Sequence, residues 1–282
     1  MSKTLDQARP VHQPSGSARN TGGMSLKTKR TLMTWGLRYG VITLVLISWQ
    51  LASGRVMASY LISSPVEVAQ SFISGITDGE LLRHTAVTLG EIALGYPIGA
   101  FIGVCTGFLL GSSPLLARAF QPIVTALFGI PIIALAPLIV VWLGIGYASK
   151  VGIVALLVFF LTFFNTYSGL KNMDRQFVDL ARLMGADQRT VILKVVLPTI
   201  TPSIFAGLSI ALPQSVIAAT VGEFIAASEG LGYMIRRAAG VFDTPTLIVG
   251  ALVLMLLVLA ANAVLSVIER RVLVWKPQKE GN

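Results

Sequence analysis

Six stretches of roughly twenty mainly apolar residues recur along this chain, and they restrict its fold more than any other feature. They run about Trp35 to Ala52, Leu89 to Leu110, Phe120 to Leu143, Val151 to Ser168, Thr201 to Val221 and Thr246 to Ile268. A helix needs about 20 such residues to cross the hydrocarbon core of a bilayer. In lipid every backbone N–H and C=O must find its partner within the protein, so continuous apolar stretches of this length become helices. Hydrophobic residues make up 54% of the chain and charged ones only 12%. A soluble domain carries about 25% charged residues. The expected fold is therefore all-α, a polytopic membrane bundle of about six transmembrane helices.

The formal net charge is +9. The basic residues flank apolar stretches, so the excess points to membrane topology and not to nucleic acid. Seven Lys or Arg precede or include Arg38, Arg118 sits in the second connection, five lie from Lys171 to Lys194 and four from Arg270 to Lys279. The opposite side holds Arg55, Arg83, Lys150, Arg236 and Arg237. That asymmetry predicts both termini in the cytoplasm. Residues Met1 to Ser25 are polar, and no apolar core follows Met1 as a signal peptide requires. Residues 1–30 read as a disordered cytoplasmic tail, 31–275 as the transmembrane domain and 276–282 as a second tail. The lone cysteine, Cys105, reads as a small packing residue and leaves no intrachain disulfide or cysteine metal cluster.

Three connections exceed simple turns. Ser53 to Arg83 reads as a loop plus a short amphipathic helix started by Pro65, whose missing N–H costs nothing in a first turn. Gly222 to Pro245 lies on the same, outer side. The segment 171–198 lies on the cytoplasmic side, with helical spacing before Gly185 and again after it. Gly185 suits a sharp turn and Asp187 suits the cap of the second helix. Pro198 is expected to end that helix. Leu180, Leu183 and Met184 would offer apolar side chains to a partner's groove.

Within the spans, Gly95, Gly99, Gly103, Gly107 and Gly111 form an unbroken four-residue ladder. Positions four apart share a helix face, so a neighbouring backbone can approach it closely. Pro122, Pro131 and Pro137 fall in one span and suggest a broken helix beside a pathway. Polar residues in apolar spans are costly and often functional. Thr162, Asn165, Gln214 and Ser215 are accordingly candidates for the substrate pathway, together with Pro131 and Pro137. Thr220 belongs to the same polar group. Glu91 and Glu223 read as structural, with Arg236 or Arg237 as partners for Glu223. His84 reads as a solvated histidine in an outer loop. No paired carboxylates stand at metal-binding spacing within a span, so no metal site is expected.

The cytoplasmic segment resembles the EAA loop of binding-protein-dependent ABC importer permeases. That pattern is roughly E-A-A-x-x-x-G-A, about nine variable residues, then a hydrophobic residue and Pro. Asp179, Leu180, Ala181, Gly185, Ala186, Leu197 and Pro198 fall in register, with Asp179 for the usual Glu and Leu180 for the usual Ala. Ser64-Pro65-Val66-Glu67-Val68, Gly129 to Leu138, Trp142 to Gly146, and Glu223-Phe224 with Glu229 to Tyr233 resemble the branch serving nitrate, sulfonates, taurine and thiamine-pyrimidine precursors. That branch often has Arg where this chain has Glu91.

The resemblance implies a type I importer permease fold. It implies that Asp179, Leu180, Ala181, Leu183, Met184, Gly185, Ala186 and Asp187 couple to the ATPase. It further implies two ATP-binding cassette subunits, a second permease copy in a homodimer, and a periplasmic or lipid-anchored solute-binding protein. The chain lacks a G-x-x-x-x-G-K-[ST] phosphate loop. ATP and Mg are therefore expected on the partner ATPase, with no cofactor on this chain and no enzymatic site of its own. The implied cargo is a small polar or anionic solute. The rival readings are an ion-gradient-driven secondary transporter, which would need ionisable residues near the midplane, and a membrane anchor without transport.

Overall fold

The computed structural model describes residues 26–56 and 58–273. The expected tails at residues 1–25 and 276–282 lie outside them. Among the described residues the regular structure is helical throughout. The packing divides the chain into two units, one ending at Trp49 and one starting at Gln50. Helix α1 (Leu26–Ala52) accounts for the described part of the first unit. It begins inside the expected tail, so residues 26–30 are helical rather than irregular. It holds the first expected span, with Arg38 and Gln50 near the ends of that stretch, but it is not among the helices apolar enough to count as a crossing.

The second unit opens with two short helices, α2 (Ser59–Ile62) and α3 (Pro65–Thr77). Ser64 caps α3 by accepting from the Glu67 N–H at 3.3 Å, and Ser63 Oγ donates to Glu67 Oε2 at 3.0 Å. One of the N–H groups a helix start leaves unpaired is thus met by Ser64, and Pro65 at the first position brings none to be met. Helix α4 (Glu80–Ser112) starts nine residues before the expected span. It is followed by α5 (Pro114–Phe128) and α6 (Ile132–Leu143), then α7 (Tyr147–Lys171). Helices α8 (Gln176–Leu183) and α9 (Gln188–Val191) follow, then α10 (Leu197–Ala226), α11 (Leu231–Gly240) and α12 (Thr244–Val272).

Among the described residues, four helical stretches are long and apolar enough to cross a membrane: α4, α7, the run Gln188–Ala226, and α12. The α5–α6 pair would be a fifth, bent by 99° at its break. The break falls where Pro131 removes an N–H and caps α6 from outside the helix. The expected third span is thus one crossing made of two pieces. Helix directions support this. Added Cβ atoms on Gly95, Gly107 and Gly111 would meet Val154, Thr166 and Leu170 in that order, so α4 and α7 run parallel. Two parallel neighbours require the chain between them to return across the bundle, and α5–α6 is that chain. Helix α10 runs the other way along α7, with Gly222 against Lys150 and Gly169 against Ser203.

Helix α7 is the centre of this unit. Ile153, Val154 and Val158 pack with Ile92 and Ala100 of α4, Ala136 and Ile139 of α6, and Ala211, Val216, Ala218 and Ala219 of α10. The small residues on α10 bring backbones close, which supplies dispersion contacts that lipid tails do not. Across the helices, Tyr96 Oη donates to the Leu208 carbonyl at 2.8 Å.

The glycine ladder lies along α7. A Cβ on Gly99 would overlap the Ala155 backbone, and one on Gly103 would overlap Thr162 Oγ1 and crowd the Phe159 carbonyl. Cys105 is free and exposed on α4, not packed as expected.

Pro198 does not end a helix. The run from Gln188 continues through a π turn at Ile192–Val196 into α10, and the Leu197 N–H bonds to the Ile192 carbonyl. Proline brings no N–H to the ladder, and widening one turn lets the chain pass it without stopping.

Candidate functional site: two ends of one bundle

Opposite ends of α7 carry two different constructions. At its C-terminal end sits the segment containing α8 and α9. Asp174 Oδ1 accepts from the Gln176 N–H at 2.9 Å and opens α8. The helix then ends in a double-bonded turn: the Gly185 N–H donates to the Arg182 carbonyl at 2.9 Å and the Ala186 N–H to the Ala181 carbonyl at 3.0 Å. This is a Schellman cap, and it requires the left-handed backbone that Gly185 supplies at φ +86°. Asp187 begins α9 at once, its Oδ1 accepting from the Thr190 N–H at 3.2 Å. Hydrogen bonds from Thr190 hold the Asp187 carboxyl below the ordinary carboxylate range. The cap is therefore ionised at neutral pH and weakens only as pH falls through that lowered value.

The spacing Ala181–Gly185–Ala186 thus has a local cause: those three residues are the acceptor, the left-handed turn and the donor of one cap. The cap fixes the angle at which α8 is presented. Phe177, Leu180, Leu183 and Met184 on it are exposed, Leu183 at 86% and Met184 at 80%. Phe177, Leu180 and Met184 follow i, i+3, i+7 and share a face. A cluster of large apolar side chains this exposed marks an interaction surface. Asp179 and Ala181 lie on the same short helix.

Beside this segment, between α7 and α10, lies a cleft of about 300 Å³ lined by Asn165, Ser168, Asn172, Asp174, Thr199 and Ser203. Asn165 is the pathway candidate that borders it, and its Nδ2 donates to the Leu161 carbonyl at 2.8 Å. Gln214, Pro131 and Pro137 are exposed. Thr162 and Ser215 are fully buried, donating to the carbonyls of Val158 and Leu212 on their own helices. The structure therefore does not bring the six pathway candidates to one lining.

The other end of α7 holds a buried polar cluster that sequence reasoning largely missed. Lys150 Nζ lies 3.8 Å from Glu91 Oε1, joining α7 to α4. Glu91 is fully buried and both its carboxyl oxygens lack a hydrogen bond among the described residues. Glu223 of α10 is its neighbour and is also fully buried. Glu223 does not pair with the arginines expected for it. Its carboxyl accepts from Thr88 Oγ1 at 2.6 Å and from the Gly232 N–H. Arg237 binds Glu80 at 2.7 Å instead, and Arg236 donates to the Ala227 carbonyl at 3.3 Å.

His84 is not a solvated loop residue. Helix α4 begins before it, and the ring is 2% exposed with Nδ1 accepting from the Gly230 N–H at 3.0 Å. Lys150, placed by sequence among the flanking cations, is buried with Glu91. The signal for both was weak: His84 lies four residues into α4 and Lys150 three into α7, each just before the apolar stretch that the sequence marks.

These features match a known protein family. The family described as "Binding-protein-dependent transport system inner membrane component" matches residues 95–274, more than half of the chain. The chain belongs to this family. It is 34% identical over 236 residues to the formylaminopyrimidine transport permease protein ThiX of Halalkalibacterium halodurans, covering 84% of this chain and 94% of that one. It is 27% identical to the putative aliphatic sulfonates transport permease protein SsuC of Bacillus subtilis, covering 95% and 99%. It is 32% identical to the riboflavin transport system permease protein RibX of Chloroflexus aurantiacus, covering 83% and 88%. A chain of the MetNI methionine ABC transporter, solved in inward-facing conformations, superposes with a TM-score of 0.61 at 21% identity over 70% of this chain and 97% of that one, a likeness of fold. The protein is a multi-pass membrane permease of an ATP-driven ABC importer. That membership sets aside the secondary-transporter and anchor readings, and the buried Glu91, Lys150 and Glu223 belong to a permease.

Proposed function

We propose that this permease pairs with a second copy to enclose a pathway for a small polar or anionic solute, and that two ATPase subunits drive it from the cytoplasm. The observation that carries this reading is the Schellman-capped α8 with its exposed Leu180, Leu183 and Met184. A rigid, exposed apolar helix at one end of the spans is what a partner's groove can grip and move. ATP and Mg act on that partner, and their different affinity for its open and closed states supplies the shift in access. The solute class rests on relatives named for formylaminopyrimidine and aliphatic sulfonates. A solute-binding protein delivers the cargo to the end of the bundle that carries α11.

The distribution of basic residues supports a cytoplasmic α8 and cytoplasmic termini. The bent α5–α6 pair, with Pro131 and Pro137 exposed at and after its break, is assigned to the pathway wall together with Gln214 and the Asn165 cleft. Thr162 and Ser215 support that wall from inside the packing.

The test is reconstitution in liposomes with the cognate ATPase and binding protein. Uptake of the solute that co-purifies with the binding protein should require all three proteins and ATP. Uptake without the ATPase would overturn the reading. Labelling of Leu183→Cys by an impermeant reagent from outside intact cells, in a Cys105→Ser background, would overturn the assigned orientation.

A further inference from the structure

At the end of the bundle away from α8, three consecutive backbone N–H groups meet three side chains. The Gly230 N–H donates to His84 Nδ1 at 3.0 Å, the Leu231 N–H to Thr88 Oγ1 at 2.8 Å, and the Gly232 N–H to the Glu223 carboxylate. These donors open α11, where a helix has no intrahelical partners for its first N–H groups. Helices ordinarily solve this with a neighbouring Ser, Thr, Asp or Asn. Here the cap is tertiary: two acceptors come from α4, about 145 residues away in sequence, and one from α10.

The cap is also sterically closed. A Cβ on Gly230 would overlap the Glu223 carboxyl, and one on Gly232 would sit 2.7 Å from Glu223 Oε2 and 2.9 Å from the Thr220 carbonyl. Thr88 ties the acceptors together by donating to Glu223 Oε1 at 2.6 Å. Two exposed ion pairs, Arg83–Glu229 at 2.9 Å and Arg237–Glu80 at 2.7 Å, brace the same junction. The positive end of α11 thus points at a buried carboxylate shared with the spans.

We propose that His84, Thr88 and Glu223 are positioning residues that make α11 a fixed extension of α4 and α10, so that a load placed on α11 by the delivering protein moves those spans. This rests on the permease reading above, in which that end faces the solute-binding protein. A flexibly tethered α11 would absorb the contact, whereas a capped one passes it to α4, α7 and α10 together.

The experiment uses the assembled complex with its ATPase and solute-loaded binding protein in liposomes. Thr88→Val removes the central hydroxyl at nearly constant volume, and Thr88→Ser restores it. Thr88→Val should leave complex yield and basal ATP hydrolysis unchanged. It should raise amide exchange at residues 230–232. It should lower stimulation of ATP hydrolysis by the loaded binding protein roughly two- to tenfold, the range expected for one or two lost hydrogen bonds. Thr88→Ser should restore both. Full stimulation despite raised exchange, or unchanged exchange, would overturn the proposal. Should Thr88→Val not assemble, Glu223→Gln, which keeps an acceptor oxygen but loses the charge, takes its place with the same two readouts. Failure of the wild-type complex to respond to loaded binding protein at all would defeat the delivery reading on which this proposal rests, and the proposal with it, whereas a wild-type response that Thr88→Val leaves intact would overturn this proposal alone.

Discussion

Lys150 Nζ lies 3.8 Å from Glu91 Oε1, with the lysine side chain 7% exposed and the glutamate fully buried. One ammonium on α7 thus faces a carboxyl on α4 that has Glu223 beside it. Removing one partner of a buried polar pair leaves the other unpaired and costs about 1–3 kcal/mol, while removing both is often nearly neutral. Lys150→Met alone should therefore lower the melting temperature in detergent sharply, and Glu91→Gln with Lys150→Met should recover most of the loss. Fluorescence-detected size exclusion after heating checks this. Equal losses in the single and double variants would show that the pair does not couple α4 to α7.

The glycine ladder gives a graded expectation. Gly99→Ala pushes a methyl into the Ala155 backbone, which cannot rotate away, and should cost about 1–3 kcal/mol as overpacking. Gly36→Ala on α1 meets nothing within 4 Å and should instead stabilise by up to about 1 kcal/mol, since alanine loses less backbone freedom than glycine in a helix. Thermal unfolding of the two variants decides it, and a similar response from both would refute α4–α7 backbone contact.

At Gly185 the constraint is conformational and not steric. A Cβ there would meet nothing within 4 Å, but φ is +86°. A left-handed backbone costs an ordinary L-residue roughly 1–2 kcal/mol, and asparagine least among them. Gly185→Val should reduce both the ATPase recovered with the permease and transport, and Gly185→Asn should reduce them far less. Equal ATPase recovery from both variants would remove the cap from the coupling argument.

His84 predicts an acid response of the α11 junction. Its Nδ1 accepts from the Gly230 N–H, so Nε2 carries the ring proton and faces Glu80 at 3.6 Å. The other groups facing the ring are Arg83 on the same helix, and Arg237 and Tyr233 on α11. A second proton would go to Nδ1 and turn the acceptor into a donor. The bond is therefore intact while the ring is neutral and is lost as pH falls. Exchange at residues 230–232, corrected for intrinsic rate, should rise once the pH falls far enough to put that second proton on the ring. His84→Asn, whose carbonyl can replace Nδ1, should flatten that rise. An identical rise in the variant would assign the response to another group.

Much of the fold could be read from the chain. Apolar length located α7, α10, α12 and most of α4, and Pro122, Pro131 and Pro137 together announced a break in the α5–α6 crossing, which the structure puts at Pro131. At α8 the caps were legible because they are local: Gly185 and Asp187 act within four residues of themselves. Where sequence reading went astray, the deciding partner lay far away. His84 looked solvated because its acceptor role depends on Gly230, and Glu223 looked free to choose Arg236 or Arg237 because Thr88 is 135 residues from it. Pro198 looked like a stop because proline ends helices in general, and only the π turn before it shows how the run continues.

The sequence by itself determined that this is a bundle of long apolar membrane helices with a glycine-hinged helical elbow at one end. The lipid solvent demands long apolar helices, and short-range hydrogen bonding decides how each one starts and ends. Tertiary structure alone decided which charges are buried together and which side chains cap α11. A buried polar group must be satisfied by whatever the fold brings within about 3 Å, and no local spacing encodes that neighbour.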